Sequence, residues 1–96
     1  MAARWPLSPP RLRGEAQPPY PEAARRTGIE GTVLVKAHVL ASGSVDAAEV
    51  RRSAGHPDLD HAALDTIRRA HFVPAERGGQ PVAVWVEIPV QFKLER

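Results

Sequence analysis

The sequence predicts an α+β domain whose elements run helix, strand, strand, helix, strand. Three observations carry that reading. Residues 80–94 alternate with a period of two, placing Val82, Val84, Val86, Ile88, Val90, Phe92 and Leu94 on one face and Ala83, Trp85, Glu87, Pro89, Gln91 and Lys93 on the other. Side chains of a strand point alternately to its two faces, so this is the pattern of one long strand with a single buried face. Residues 31–40 are rich in β-branched side chains, with Val33, Val35, Ala37 and Val39 in phase. Between these runs, Ala63, Leu64, Ile67 and Ala70 recur at helical spacing.

Taken in order, residues 1–19 have no hydrophobic period and hold Pro6, Pro9, Pro10, Pro18 and Pro19. That composition predicts an extended or disordered linker, with the folded domain spanning 20–96. Pro21 suits a first helical position, where its missing N–H leaves no partner wanting, and Gly28 suits a helix end; a short helix is expected from Pro21 to about Thr27. The first strand runs Gly31–Leu40. Ala41–Ser44 is a turn, and the extended pattern resumes over Val45–Ser53, so the two strands form an antiparallel hairpin. Ser53–Pro57 breaks the run. Asp58 or Asp60 then caps a helix expected to reach Ala70, with Arg68 and Arg69 favourably placed at its negative end. Pro74 blocks continuation, and Glu76–Gly79 reads as a loop before the last strand.

Composition narrows the function classes. Ninety-six residues with 43% hydrophobic and 25% charged side chains make one small soluble-type domain with a thin core. The net charge is +2, and the arginine pairs 25–26, 51–52 and 68–69 have acidic neighbours. This is a solvated surface and no phosphate-binding stripe, so nucleic acid is not an expected partner. No cysteine is present, which excludes disulfides and thiolate metal sites and leaves the redox compartment unread. No apolar run reaches the ~20 residues of a membrane span, and no secretory signal opens the chain. A role outside the cytoplasm would make this sequence a fragment of a longer protein. His38, His56, His61 and His71 are scattered, and no nucleophile motif or phosphate-binding loop occurs; neither catalysis nor a cofactor is expected.

Several segments, taken together and in order, resemble the C-terminal domain of TonB, the energy transducer of Gram-negative outer-membrane transport. They are YPEAARRTGIEGTVLVKAHV at 20–39, SGSV at 42–45, VRRSAGHPDLDHAALDTIRRAHFVPA at 50–75 and GGQPVAVWVEIPVQFKL at 78–94. One departure stands out. Where similar proteins usually carry a bulky aromatic, this chain has Ala70, followed by His71 and Phe72; the resemblance then implies lower stability, with Phe72 or Trp85 placed to make up the lost burial.

The resemblance implies a three-stranded antiparallel sheet in strand order 2-1-3, with both helices on one face and the last strand at an edge. Pro89 supports the edge independently, because proline in a sheet is confined to edges and bulges. An uncovered edge presents free N–H and C=O groups that proteins normally protect unless pairing is their purpose. The resemblance supplies the purpose: the TonB box of a TonB-dependent outer-membrane receptor adds as an extra strand, by β-augmentation. Expected partner-binding residues are Val82, Val84, Trp85, Val86, Glu87 and Ile88 on the edge strand, with Gln17 and Tyr20 ahead of the first helix. Val84, Val86 and Ile88 are expected to be core by side chain and to bind through their backbone, and Trp85 either to pack on Leu34 or to touch the partner. The resemblance further implies a periplasmic domain tethered to the inner membrane, linked through a missing N-terminal segment to an ExbB/ExbD-type motor and serving uptake of siderophores, vitamin B12 or similar cargo. The alternative is a stand-alone or sensory interaction module of the same fold, forming a homodimer through its edge without energy transduction.

Overall fold

A computed structural model describes residues 6–14 and 18–94. In chain order its elements are β1 (Leu7–Ser8), β2 (Arg11–Leu12), α1 (Glu22–Arg26), β3 (Gly31–Val39), β4 (Val45–Arg52), α2 (Pro57–Arg69), β5 (Phe72–Val73), β6 (Ala75–Arg77), β7 (Gln80–Val82) and β8 (Val84–Phe92). The three long strands form one antiparallel sheet in the order β4-β3-β8. Val33, Val35 and Ala37 of β3 and Val90 and Phe92 of β8 share a buried cluster with Ala24 of α1 and Leu59, Ala63 and Ile67 of α2. Both helices therefore cover the same face. The opposite face is open.

Local chemistry accounts for the helix ends. α1 is only five residues long, and Pro21 sits at its N-cap rather than inside its first turn, its carbonyl accepting from the Arg25 N–H at 2.9 Å. Gly28 ends it at φ 73°, with Gly28 N–H donating to the Arg25 carbonyl and Ile29 N–H to the Ala24 carbonyl at 2.9 Å. This pair of bonds satisfies carbonyls that the helix leaves free and needs a left-handed residue, which glycine supplies without steric cost. α2 begins with Pro57 after an extended His56, and neither Asp58 nor Asp60 caps it. Asp60 instead reaches backward, accepting from the Ser53 hydroxyl and from the Ala54 N–H at 3.0 Å. It ties down the connection from β4. Sequence alone could not separate these uses, because an aspartate next to a helix start serves either.

The alternating run 80–94 is not one strand. It breaks at Ala83: β7 pairs with β6, while β8 pairs with β3 from Val39↔Val84 to Gly31↔Phe92 without a register shift. Glu76–Gly79, read as loop, is largely the hairpin that joins β6 to β7. Ahead of α1, in the stretch expected to be linker, β1 pairs with β6 and β2 with β5, and Arg13 N–H donates to the His71 carbonyl at 2.9 Å. Residues 7–13 thus lie antiparallel along 71–77. The prolines keep this segment extended, and extended backbone can pair wherever a neighbour offers an edge. Residues 1–5 and 15–17 lie outside the described residues.

Phe72 is buried, but its backbone lies against the β3–β4 turn and its side chain is outside the main cluster. A Cβ built on Gly43 would sit 2.1 Å from the Phe72 carbonyl oxygen, and Gly43 has φ 90°. Only glycine fits there. Trp85 is on the opposite face of the sheet and adds nothing under α2.

Candidate functional site

The phase of the β3–β8 ladder decides which backbone groups are free. Just beyond β3, Leu40 N–H donates to the Ser44 carbonyl at 2.8 Å, so even-numbered residues of β3 direct their backbone toward β4 and odd-numbered ones toward β8. Val35–Ile88, Ala37–Val86 and Val39–Val84 are then the hydrogen-bonded pairs, and Leu34–Pro89, Lys36–Glu87 and His38–Trp85 the non-hydrogen-bonded ones. Pro89, lacking an N–H, falls where β3 asks for none. At the other end, Leu94 N–H points back to the Glu30 carboxylate at 2.6 Å, in the same phase.

The consequence is an ordered row of unpaired groups along the outer side of β8. Trp85 and Glu87 each present an N–H and a C=O, Pro89 a C=O alone, and Gln91 both. Among the described residues, no strand pairs with this side. Side chains of the row stand on the open face. Trp85 is 53% exposed; its ring stacks on His38 with centroids 4.8 Å apart and planes at 29°, and the Lys36 Nζ lies 5.2 Å from its centroid. Trp85 does not pack on Leu34, which is paired with Pro89. The closeness of side chains in a non-hydrogen-bonded pair accounts for the stack. His38 Nδ1 is also 2.7 Å from Asp46, and Glu87 reaches Arg51 across β3 at 3.4 Å.

The inner side chains of β8 are less buried than the alternation suggests. Val90 and Phe92 are core, but Val84, Val86 and Ile88 are half-buried, and only Ile88 packs against the main cluster. α2 lies over β4 and β3, so the first half of β8 keeps an apolar flank beside its free backbone. Val82 belongs to β7, opposite Ala75. Tyr20 meets β8 at its other end: its ring stands edge-on to Phe92 at 5.5 Å and 79°, and its hydroxyl donates to the Ile29 carbonyl. Burial, with the Glu30 carboxylate adding to it, raises the Tyr20 pKa above the ordinary phenol value. Gln17 lies outside the described residues. Sequence reasoning did not single out His38, Lys36 or Arg51; cross-strand register is the signal that brings them to Trp85 and Glu87, and it is not visible before the strands are paired.

A groove of about 370 Å³ between Pro19–Pro21 and α2 offers only Asp65, Thr66 and Arg69 as polar side chains beside Tyr20. Among the described residues no three His, Asp or Glu side chains gather to hold a metal ion, and no helix is long and apolar enough to cross a membrane.

Two helices on one face of a small antiparallel sheet, with the outer side of the edge strand β8 unpaired among the described residues, define a small α+β module. Residues 16–94 match the family described as Gram-negative bacterial TonB protein C-terminal, and the chain belongs to that family. It is 49% identical over 77 residues to the protein tonB2 of Pseudomonas aeruginosa, covering 80% of this chain and 28% of that protein. It is 39% identical over 87 residues to the protein TonB of Vibrio cholerae, covering 91% and 36%. The chain thus spans about a third of the length of these relatives. Among solved structures, the solution structure of the Pseudomonas aeruginosa TonB C-terminal domain superposes with a TM-score of 0.73 at 27% identity, covering 93% of this chain and 90% of that one. That of the Helicobacter pylori domain superposes with a TM-score of 0.60 at 31% identity, covering 82% and 71%.

Proposed function

We propose that this chain is the periplasmic receptor-binding domain of a TonB-like energy transducer. It pairs the outer side of β8 with the TonB box of outer-membrane transporters and carries to them a pull driven by the proton-motive force, for uptake of siderophores, vitamin B12 or similar cargo. The observation that carries this reading is the free backbone row at Trp85, Glu87, Pro89 and Gln91. Family membership gives the row its purpose.

The chemistry of strand addition suits a transducer that serves many receptors. Main-chain hydrogen bonds supply affinity without demanding one sequence, and the half-buried Val84, Val86 and Ile88 offer an apolar flank to alternate side chains of the incoming segment. A peptide lying along β8 and pulled along the strand axis loads its ladder bonds together, so bonds worth ~1 kcal/mol each resist as a group. Upstream, the transducer is tethered in the inner membrane and coupled to an ExbB/ExbD-type motor. Tyr20, edge-on to Phe92, lies at the far end of the lane, and in this reading both it and Gln17 contact the docked segment.

The test is titration of the isotope-labelled chain with N-terminal peptides of outer-membrane transporters. Amide shifts running along 84–91 are expected. Shifts confined to Pro57–Arg69, or none, would overturn the reading. The same edge is open to a second copy of the chain, and sedimentation of the free protein over a concentration series separates homodimer pairing from peptide pairing.

A further inference from the structure

We infer that Trp85 selects the sequence of the docked strand through the ring face it turns away from the sheet. This rests on the edge of β8 being the docking lane. Trp85 and Leu7 are the exposed large hydrophobic residues among those described, and Trp85 is the one on the open face of the main sheet. Its position is geometrically specific. The Trp85 and His38 centroids are 4.8 Å apart, which is also the ordinary spacing between neighbouring strands, about 4.8 Å. The two rings stand side by side as their strands do. His38, from β3, stacks on the indole, and Lys36, also from β3, brings its Nζ to 5.2 Å from the ring centroid. The other side faces the lane, where the docked residue would form a hydrogen-bonded pair with Trp85, its Cα about 5.5 Å away and its side chain standing beside the indole.

The residue of the docked strand directly opposite Trp85 therefore meets a flat apolar surface held upright by His38, itself held by Asp46 at 2.7 Å. An aromatic or β-branched side chain gains contact there, as cross-strand aromatic pairs do. Glycine gains none. A basic side chain is disfavoured relative to tyrosine because the Lys36 ammonium already lies 5.2 Å from the indole centroid. The selected partner is an extended segment with an aromatic or β-branched residue at that one outward position, its register fixed by Glu87 and Pro89 next along the edge.

The test uses synthetic peptides of a transporter N-terminal segment, with tyrosine, valine, lysine or glycine placed in turn at each position. Affinities are read by calorimetric titration, which does not depend on the indole that the Trp85 variants remove. One position is expected to prefer tyrosine and valine over glycine by up to about fivefold, the upper range for a cross-strand pair. Trp85→Ala should flatten that preference while leaving glycine peptides bound with similar affinity, and Trp85→Phe should restore most of it. Peptides that bind along β8 with no preferred position, or with a preference that survives Trp85→Ala, would overturn the selector role and leave the edge reading standing. Absence of binding by every peptide would overturn both.

Discussion

Proline substitution at two adjacent positions separates the backbone that holds β8 from the backbone that is free. Val86 N–H is directed to β3, in a hydrogen-bonded pair with Ala37, which is fully buried. Val86→Pro removes that bond, leaves a buried carbonyl without its donor, and forces a ring against β3; the cost is on the order of 3 kcal/mol. A domain of this size has a total stability of roughly 5–15 kcal/mol, so this variant loses much of its margin. Glu87 N–H points outward. Glu87→Pro costs the fold only the exposed ion pair with Arg51, 3.4 Å apart, and such pairs are worth about 0–1 kcal/mol. To a docked strand, however, it removes one of the two donors ahead of Pro89. One net hydrogen bond is worth ~1 kcal/mol, or about fivefold in affinity, and the ring displaces the incoming carbonyl besides. Urea unfolding followed by circular dichroism reads the first effect and peptide titration the second. Equal destabilisation by the two prolines, or wild-type peptide affinity in Glu87→Pro, would refute the assigned ladder phase.

Three further outcomes are expected. Gly43→Ala should destabilise by about 2–4 kcal/mol in urea titration, combining positive-φ strain with a backbone clash against Phe72. Asp60→Ala should cost about 1–2 kcal/mol by releasing Ser53 and Ala54, seen as a melting temperature lower by roughly 4–16 °C. The raised Tyr20 pKa means that the folded state favours the neutral phenol. Its contribution to stability is full below the unfolded phenol value of about 10 and is lost as pH rises through the higher folded value. The urea midpoint of the native chain should therefore fall between pH 9 and pH 11 more than that of Tyr20→Phe.

Period and punctuation made the long elements legible. Because burial of one face demands such a pattern, the valines of β3 and the helical spacing of Ala63 and Ile67 each located an element to within a residue or two, and the alternation over 80–94 located β8 but overran its start by four residues. The break at Ala83 was hidden, since β7 and β8 alternate in the same phase although they pair with different neighbours. The short pairings of residues 7–13 were hidden for another reason: two-residue strands carry no period, and their partners lie some 60 to 70 residues away in the chain. At the candidate site, Pro89 marked the edge from sequence alone. The stack of His38 on Trp85 could not be read until the strands were in register. Half-burial of Val84 and Val86 was likewise unreadable, because alternation reports which face a side chain takes and says nothing of how far a helix extends over it.

Pro89 has a consequence for solubility. An unpaired strand with apolar flanks is a template for edge-to-edge stacking, the first step of aggregation. Here the row of donors is interrupted at Pro89, and Glu87 and Lys93 place charges beside it. A short segment fits ahead of the gap, whereas a long sheet growing in register would have to bury a carbonyl there with no N–H beside it. An edge interrupted in this way is a poor seed for a growing sheet.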